Sequence, residues 1–174
     1  LERERGLLRS VGLRCVFDHH QVQEALYQNL PELLRREYHA AIAGAMERRG
    51  GVGEKAPEDL PGSLCASLAD HLLKGGRPER ALRYSDRALD YFEESYLNDA
   101  ALDLAARLES VPGLLTREKR LQVLVRKAGR LELLGRWEEE RRALEDAFRE
   151  AESSGVALAR ARVRRRLGRH LSRH

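Results

Sequence analysis

Aromatic residues make up only 5% of this 174-residue chain, with a single tryptophan and three phenylalanines. Strands rely on aromatic and β-branched side chains to pack a pleated surface, so this scarcity argues against a sheet-based core. Cysteine occurs twice, at Cys15 and Cys65, far apart and without metal-ligand spacing. The two read as reduced thiols of a cytoplasmic protein, and as small buried hydrophobes rather than nucleophiles. Prolines are few and stand, with most glycines, at the edges of apolar-periodic runs, where they punctuate helices without interrupting them. No apolar stretch is long enough to cross a bilayer and no signal peptide is visible. No phosphate loop is present, because Gly50-Gly51-Val52-Gly53 lacks the lysine and the Ser/Thr that would grip a nucleotide. No set of residues converges in a catalytic pattern, so the expectation is a protein with no catalytic residues, no cofactor and no metal. The chain opens at Leu1 and not at methionine, which points to an excised piece of something longer.

What is abundant is charge, at 34%, together with Leu, Ala, Arg and Glu, the composition of exposed amphipathic helices. Leu13 to Phe17 reads as a short extended segment, with polar Asp18-His19-His20 where a helix would begin. Val22, Ala25 and Leu26 open a first helix ending near Leu30, and Pro31 suits the first position of the next. There Leu34, Tyr38, Ala41, Ile42 and Ala45 recur at three- and four-residue steps, predicting one buried face. Gly50 to Gly62 is the longest expected loop. A helical hairpin follows, with Leu64, Leu68, Ala69 and Leu72 inward, Gly75-Gly76-Arg77-Pro78 as the turn, and Ala81, Ser85, Ala88 and Phe92 on the returning arm. Ala101, Leu104, Ala105 and Leu108 mark another helix, broken at Val111-Pro112-Gly113. A second hairpin has Leu121, Leu124, Val125, Ala128 and Leu131 before Gly135-Arg136, and Trp137, Leu144, Ala147, Phe148 and Ala151 after it. A last helix, from about Val156, places Val163, Leu167 and Leu171 on one face. Eight helices with short connections and two hairpins of similar design suggest consecutive antiparallel packing in a helical repeat array.

The segment Ala69…Leu72…Gly76-Arg77-Pro78-Glu79-Arg80-Ala81…Ala88-Leu89 resembles a tetratricopeptide repeat (TPR), with a small and a large residue before the turn glycine and two alanines seven apart after it. Ala128…Leu131…Gly135-Arg136-Trp137…Ala147-Phe148 resembles a second copy. It departs from that family at Glu140, where a small residue is the rule, so looser packing or a shifted register is expected there. Phe17 to Leu30, then Arg35-Arg36…His39…Ile42-Ala43 and Leu68-Ala69-Asp70-His71-Leu72, resemble the segment after the ATPase module of bacterial STAND-type signal-transduction ATPases. That likeness covers residues 13–105. It implies residues 1–20 as the end of a winged-helix-like element or linker and 21–174 as a TPR-like helical domain. It also implies a parent fused to a serine/threonine kinase, nucleotide-cyclase or DNA-binding output domain. The fold expected is therefore an all-α, TPR-like array of about eight helices in antiparallel hairpins with right-handed superhelical stacking.

The candidate site residues are cations. Arg120, Arg126, Lys127 and Arg130 face away from the core stripe of the helix before Gly135, where they would steer acidic groups of a peptide or protein. Arg160, Arg164 and Arg165 belong to an arginine-rich final helix that also carries Arg162, Arg166, Arg169, Arg173, His170 and His174. Such a field suits nucleic-acid phosphates, but the net charge is only +4, no aromatic interleaves the arginines and no groove-reading motif frames them. Glu138-Glu139-Glu140, Glu145 and Asp146 on the preceding helix offer intramolecular partners instead. His19-His20, His39 and His71 lack a completing ligand at helical spacing, and His39 and His71 read as hydrogen-bonded packing groups. Trp137 reads as a packing anchor continuing the Leu144 stripe. Three functional classes follow: a non-catalytic interaction or sensor module for a protein or peptide, a self-association platform, and, least supported, a basic nucleic-acid-binding module.

Overall fold

The computed structural model describes residues 8–11, 14–17, 19–153 and 157–173. Strands β1 (Leu8–Val11) and β2 (Arg14–Phe17) form an antiparallel hairpin in which Leu8 pairs with Phe17 and Val11 with Arg14. The extended segment read from the sequence is β2; its first residue, Leu13, and the following Asp18 lie outside the described residues, and β1 was not foreseen. Eight α-helices follow among the described residues: α1 (His20–Asn29), α2 (Glu32–Arg48), α3 (Gly62–Lys74), α4 (Pro78–Glu94), α5 (Asn98–Glu109), α6 (Arg117–Leu133), α7 (Trp137–Ser153) and α8 (Ala157–Arg173). The fold is all-α apart from the hairpin, and from α2 onward each helix packs against the next, in adjacent antiparallel pairs.

The reversals share one physical solution. After α3, the N–H of Arg77 bonds the carbonyl of Leu72 at 2.8 Å and that of Gly76 the carbonyl of Leu73 at 3.1 Å. After α6, Arg136 bonds Leu131 at 3.0 Å and Gly135 bonds Glu132 at 3.2 Å. These are Schellman caps, which satisfy the last helical carbonyls and need a left-handed residue at the reversal. Gly76 and Gly135 both supply it at φ 67°. The reversal after α4 uses the same two bonds, Leu97 to Phe92 and Tyr96 to Glu93, but places Tyr96 in the left-handed position at φ 56°.

Most of the core lies between α3, α4 and α5. Leu68, Leu72, Leu89 and Leu108 are buried there, and each buried leucine contributes roughly 2 kcal/mol. Ala69, Ala81 and Ala88 have no exposed surface, which lets α3 and α4 approach closely. All four residues expected inward on α5 are buried, joined by Leu102. On α6, Leu124, Ala128 and Leu131 are buried with Val123, while Leu121 and Val125 are half-buried. An ion pair and a hydrogen bond cross between elements: Arg107 of α5 reaches Asp70 of α3 at 2.7 Å, and the Tyr84 hydroxyl of α4 donates to Glu47 of α2 at 3.0 Å.

Four expectations need correction. Leu34, Tyr38, Ala41, Ile42 and Ala45 do not form the buried face of α2; all are exposed, and His39 and Ala43 are buried in their place. Moving the buried face by one residue turns the helix by about 100°. Gly75 explains the choice, since a Cβ there would lie 2.7 Å from the Ala40 nitrogen: α2 crosses the α3–α4 turn too closely for large side chains. The stretch from Gly50 to Gly62 is not a bare loop. It holds two short 3-10 turns (Arg49–Glu54 and Pro57–Asp59) and buries Val52 and Leu60, and the Arg83 guanidinium ties down the carbonyls of Gly53 and Lys55. Leu171 is 62% exposed and His170 occupies the buried position of α8, beside buried Val163. Trp137 is 40% exposed and not buried with Leu144, its indole lying against Gly135. The Ser154–Val156 reversal before α8 lies outside the described residues.

Candidate functional site

The cations chosen on α6 all sit on the helix face that meets its neighbours. Arg126 bonds Asp90 and Glu93 of α4, both at 2.7 Å. Burial alone would lower its pKa; the bonds it donates to Glu93 and Asp90 hold the guanidinium above its ordinary value. Lys127 meets Glu109 of α5 at 2.6 Å and Arg120 meets Glu150 of α7 at 3.1 Å. Arg130 is half-buried, with an Nε that finds no acceptor. Arg120, Arg126 and Lys127 join helices, and a partner would have to displace an existing carboxylate to use them.

Along α8 the cations divide. Arg166 turns inward to the Val125 carbonyl at 3.1 Å and Glu132 at 3.5 Å. Arg164 and Arg165 are exposed and make no hydrogen bond or ion pair among the described residues. The side chains of Arg160, Arg162, Arg169 and Arg173 lie outside the described residues, as does His174. Of the acids on α7, Glu140 reaches α8, where it bonds His170 at 2.9 Å. Glu138 and Glu145 pair with Arg141, Glu139 with Arg136, and Asp146 with Arg149.

The surface the sequence assigned to the core is instead an open apolar stripe. Leu34, Tyr38 and Ile42, at steps of four along α2, are 43%, 56% and 43% exposed. Leu33 of α2 and Leu26 of α1 are exposed as well. Scattered surface leucines are ordinary, but a periodic stripe of large apolar side chains on one helix is the pattern of a contact face.

Behind the stripe, on the buried side of α2, a polar chain links three helices. The Tyr27 hydroxyl lies 2.8 Å from His39 Nε2, and His39 Nδ1 lies 2.7 Å from His71 Nδ1. One proton fits between the two Nδ1 atoms, so the rings bond when at least one is neutral. Burial lowers the pKa of both; the charges of His71, Lys74 and Arg107 push His39 further down against the opposing effect of Asp70. Burial alone would raise the Asp70 carboxyl, but bonds from Arg107 and Lys74 bring it below its ordinary value. Next to this chain is a cavity of about 320 Å³ lined by Tyr27, Glu32, Arg35, Arg36, His39, Leu73, Lys74 and Gly76. Sequence reasoning named His39 and His71 as packing groups but had no means of bringing Tyr27, Arg35 and Arg36 beside them.

Among the described residues no His/Cys/Asp/Glu group could hold a metal ion, and no helix is long and apolar enough to cross a membrane. The Cys65 thiol is buried, its pKa raised by that burial. No family model matches the chain, and neither the curated proteins nor the solved structures provide a match.

Proposed function

We propose that the chain is a non-catalytic protein-interaction module, a TPR-like array with right-handed stacking that serves as the sensor region of a larger STAND-type signalling regulator. The observation that carries this reading is the Leu34–Tyr38–Ile42 stripe. Helices α3 to α7 are each flanked by a preceding and a following helix, whereas α2 has α3 as its principal helical neighbour and turns its apolar face outward. The surface that fits an open helical face of this spacing is another apolar helix, docked as the next helix of an array would be. The occupant is therefore an amphipathic helix of a separate protein, held by apolar anchors. The cations of α6 hold the scaffold together in this reading, and exposed Arg164 and Arg165 sit away from the contact.

A photocrosslinking amino acid placed at position 38 tests it in the native host, with position 165 as the control. The reading expects one discrete adduct from position 38 that disappears with Ile42→Lys. Equal adducts from both positions, or none from position 38, would sink it. Light scattering of the purified chain then separates the occupants: a dimer lost with Ile42→Lys makes the stripe a self-association face, and a monomer leaves it to a separate protein.

A further inference from the structure

We propose that the cavity between α1, α2 and the α3–α4 turn binds a small oxyanion, a phosphate or carboxylate group, through Arg35, Arg36 and Lys74. The lining carries three cations against one carboxylate, Glu32. Arg120, Arg126 and Lys127 of α6, by contrast, are each matched to an acid. Arg36 makes no hydrogen bond or ion pair among the described residues. The Arg35 guanidinium stands 5.6 Å from the Tyr27 ring centroid, and its Nε is buried without an acceptor. A buried donor left unpaired is costly, and an anion in the cavity is the kind of group that satisfies one. Lys74 gives one of its three N–H bonds to Asp70, at 2.9 Å, and keeps the others available.

The backbone is shaped for the same purpose. Arg36 lies so close over Gly76 that a Cβ there would collide with its guanidinium, so the turn glycine both reverses the chain and lets the arginine lie along the cavity wall. Two adjacent guanidiniums and an ammonium present planar and point donors around one volume, the arrangement that recognises the several oxygens of phosphate or carboxylate. Tyr27 and His39 line the cavity, and the hydrogen bonds from Tyr27 to His39 and from His39 to His71 tie α1, α2 and α3 together.

The test is a titration of the isotope-labelled full chain with inorganic phosphate, and separately with succinate, at constant ionic strength, followed by nuclear magnetic resonance. The expected result is saturable shifts at Tyr27, Arg35, Arg36, Lys74 and Gly76, with Arg164 and Arg165 unsaturated at the same concentrations. Saturation by phosphate alone assigns a phosphoryl ligand, and saturation by succinate alone a carboxylate. Arg36→Gln, at an exposed position that leaves the core untouched, should weaken binding about tenfold or more. Saturation by neither anion, or wild-type affinity in Arg36→Gln, overturns the proposal; Arg35→Gln serves as a second variant where its spectrum shows the native fold.

Discussion

His170 Nδ1 lies 2.9 Å from a carboxylate oxygen of Glu140, and both side chains are buried between α7 and α8. The histidine, 30 positions away in the chain, supplies the hydrogen bond that the buried Glu140 carboxylate needs. Removing one partner strands the other. His170→Ala is expected to destabilise the chain by about 3 kcal/mol, because the buried carboxylate loses its donor. The double substitution Glu140→Leu with His170→Leu should recover most of that loss. Denaturant midpoints of the two single variants and the double variant form the thermodynamic cycle that checks it.

Tyr96 is the left-handed residue of the α4–α5 reversal, in the place glycine holds at Gly76 and Gly135. A side chain with a Cβ is strained there by about 1 kcal/mol, and Tyr96 is exposed, so little packing offsets the strain. Tyr96→Gly is expected to raise the unfolding free energy by up to about 1 kcal/mol. Gly135→Ala, the mirror experiment, should lower it by about as much.

Arg126 bridges two acids of α4, whereas Arg164 has no partner among the described residues. Arg126→Met should therefore cost about 1–2 kcal/mol, a figure that allows for partial solvent screening of the half-buried pair. Arg164→Met should stay within about 0.5 kcal/mol of the parent protein. Thermal or chemical unfolding of the two variants side by side distinguishes a structural cation from a free one.

The His39–His71 pair makes stability depend on acid. Both folded pKa values lie below the ordinary imidazole value of 6.5, with Tyr27, Asp70, Lys74 and Arg107 as the other titratable or charged groups placed around the pair. Between the folded and unfolded values the unfolded chain binds more protons, so stability rises with pH across that window and falls as pH drops below about 6.5. The slope should reach at most about 1.4 kcal/mol per pH unit for each proton involved. Asp70, lowered by Arg107 and Lys74, adds a further loss only in the carboxylate range. His71→Asn keeps a polar group near the Nδ1 position and removes one titration, and unfolding curves from pH 7 downward should be flatter for it.

Much of the architecture was readable because turns and small residues speak locally. Gly75-Gly76-Arg77-Pro78 and Gly135-Arg136 announced the two main reversals, and the Ala101–Leu104–Ala105–Leu108 stripe of α5 is buried as its spacing required. Three features were not readable, each for a physical reason. Periodicity shows that α2 has an apolar face but not what covers it, and the close pass of Ala40 over Gly75 turns that face outward. Composition gives no sign that a tyrosine will take a left-handed turn position. The links Glu140–His170, Arg126–Asp90 and His39–His71 join residues thirty or more positions apart, where the sequence shows charge and hydrogen-bonding capacity without direction. The cavity beside His39 belongs to this last group, since α1, the start of α2 and the α3–α4 turn meet only in the folded chain.

The central claim is that the α2 stripe, and not the arginine surface, makes the contact. Adduct yield from the crosslinker at position 38, measured from low to high salt in Ile42→Lys and in the double variant Arg164→Gln with Arg165→Gln, tests it most directly. The account predicts a yield that is nearly independent of salt, lost in Ile42→Lys and unchanged in the arginine variant. A yield that falls steeply with salt, follows the loss of Arg164 and Arg165 and ignores Ile42→Lys would contradict it.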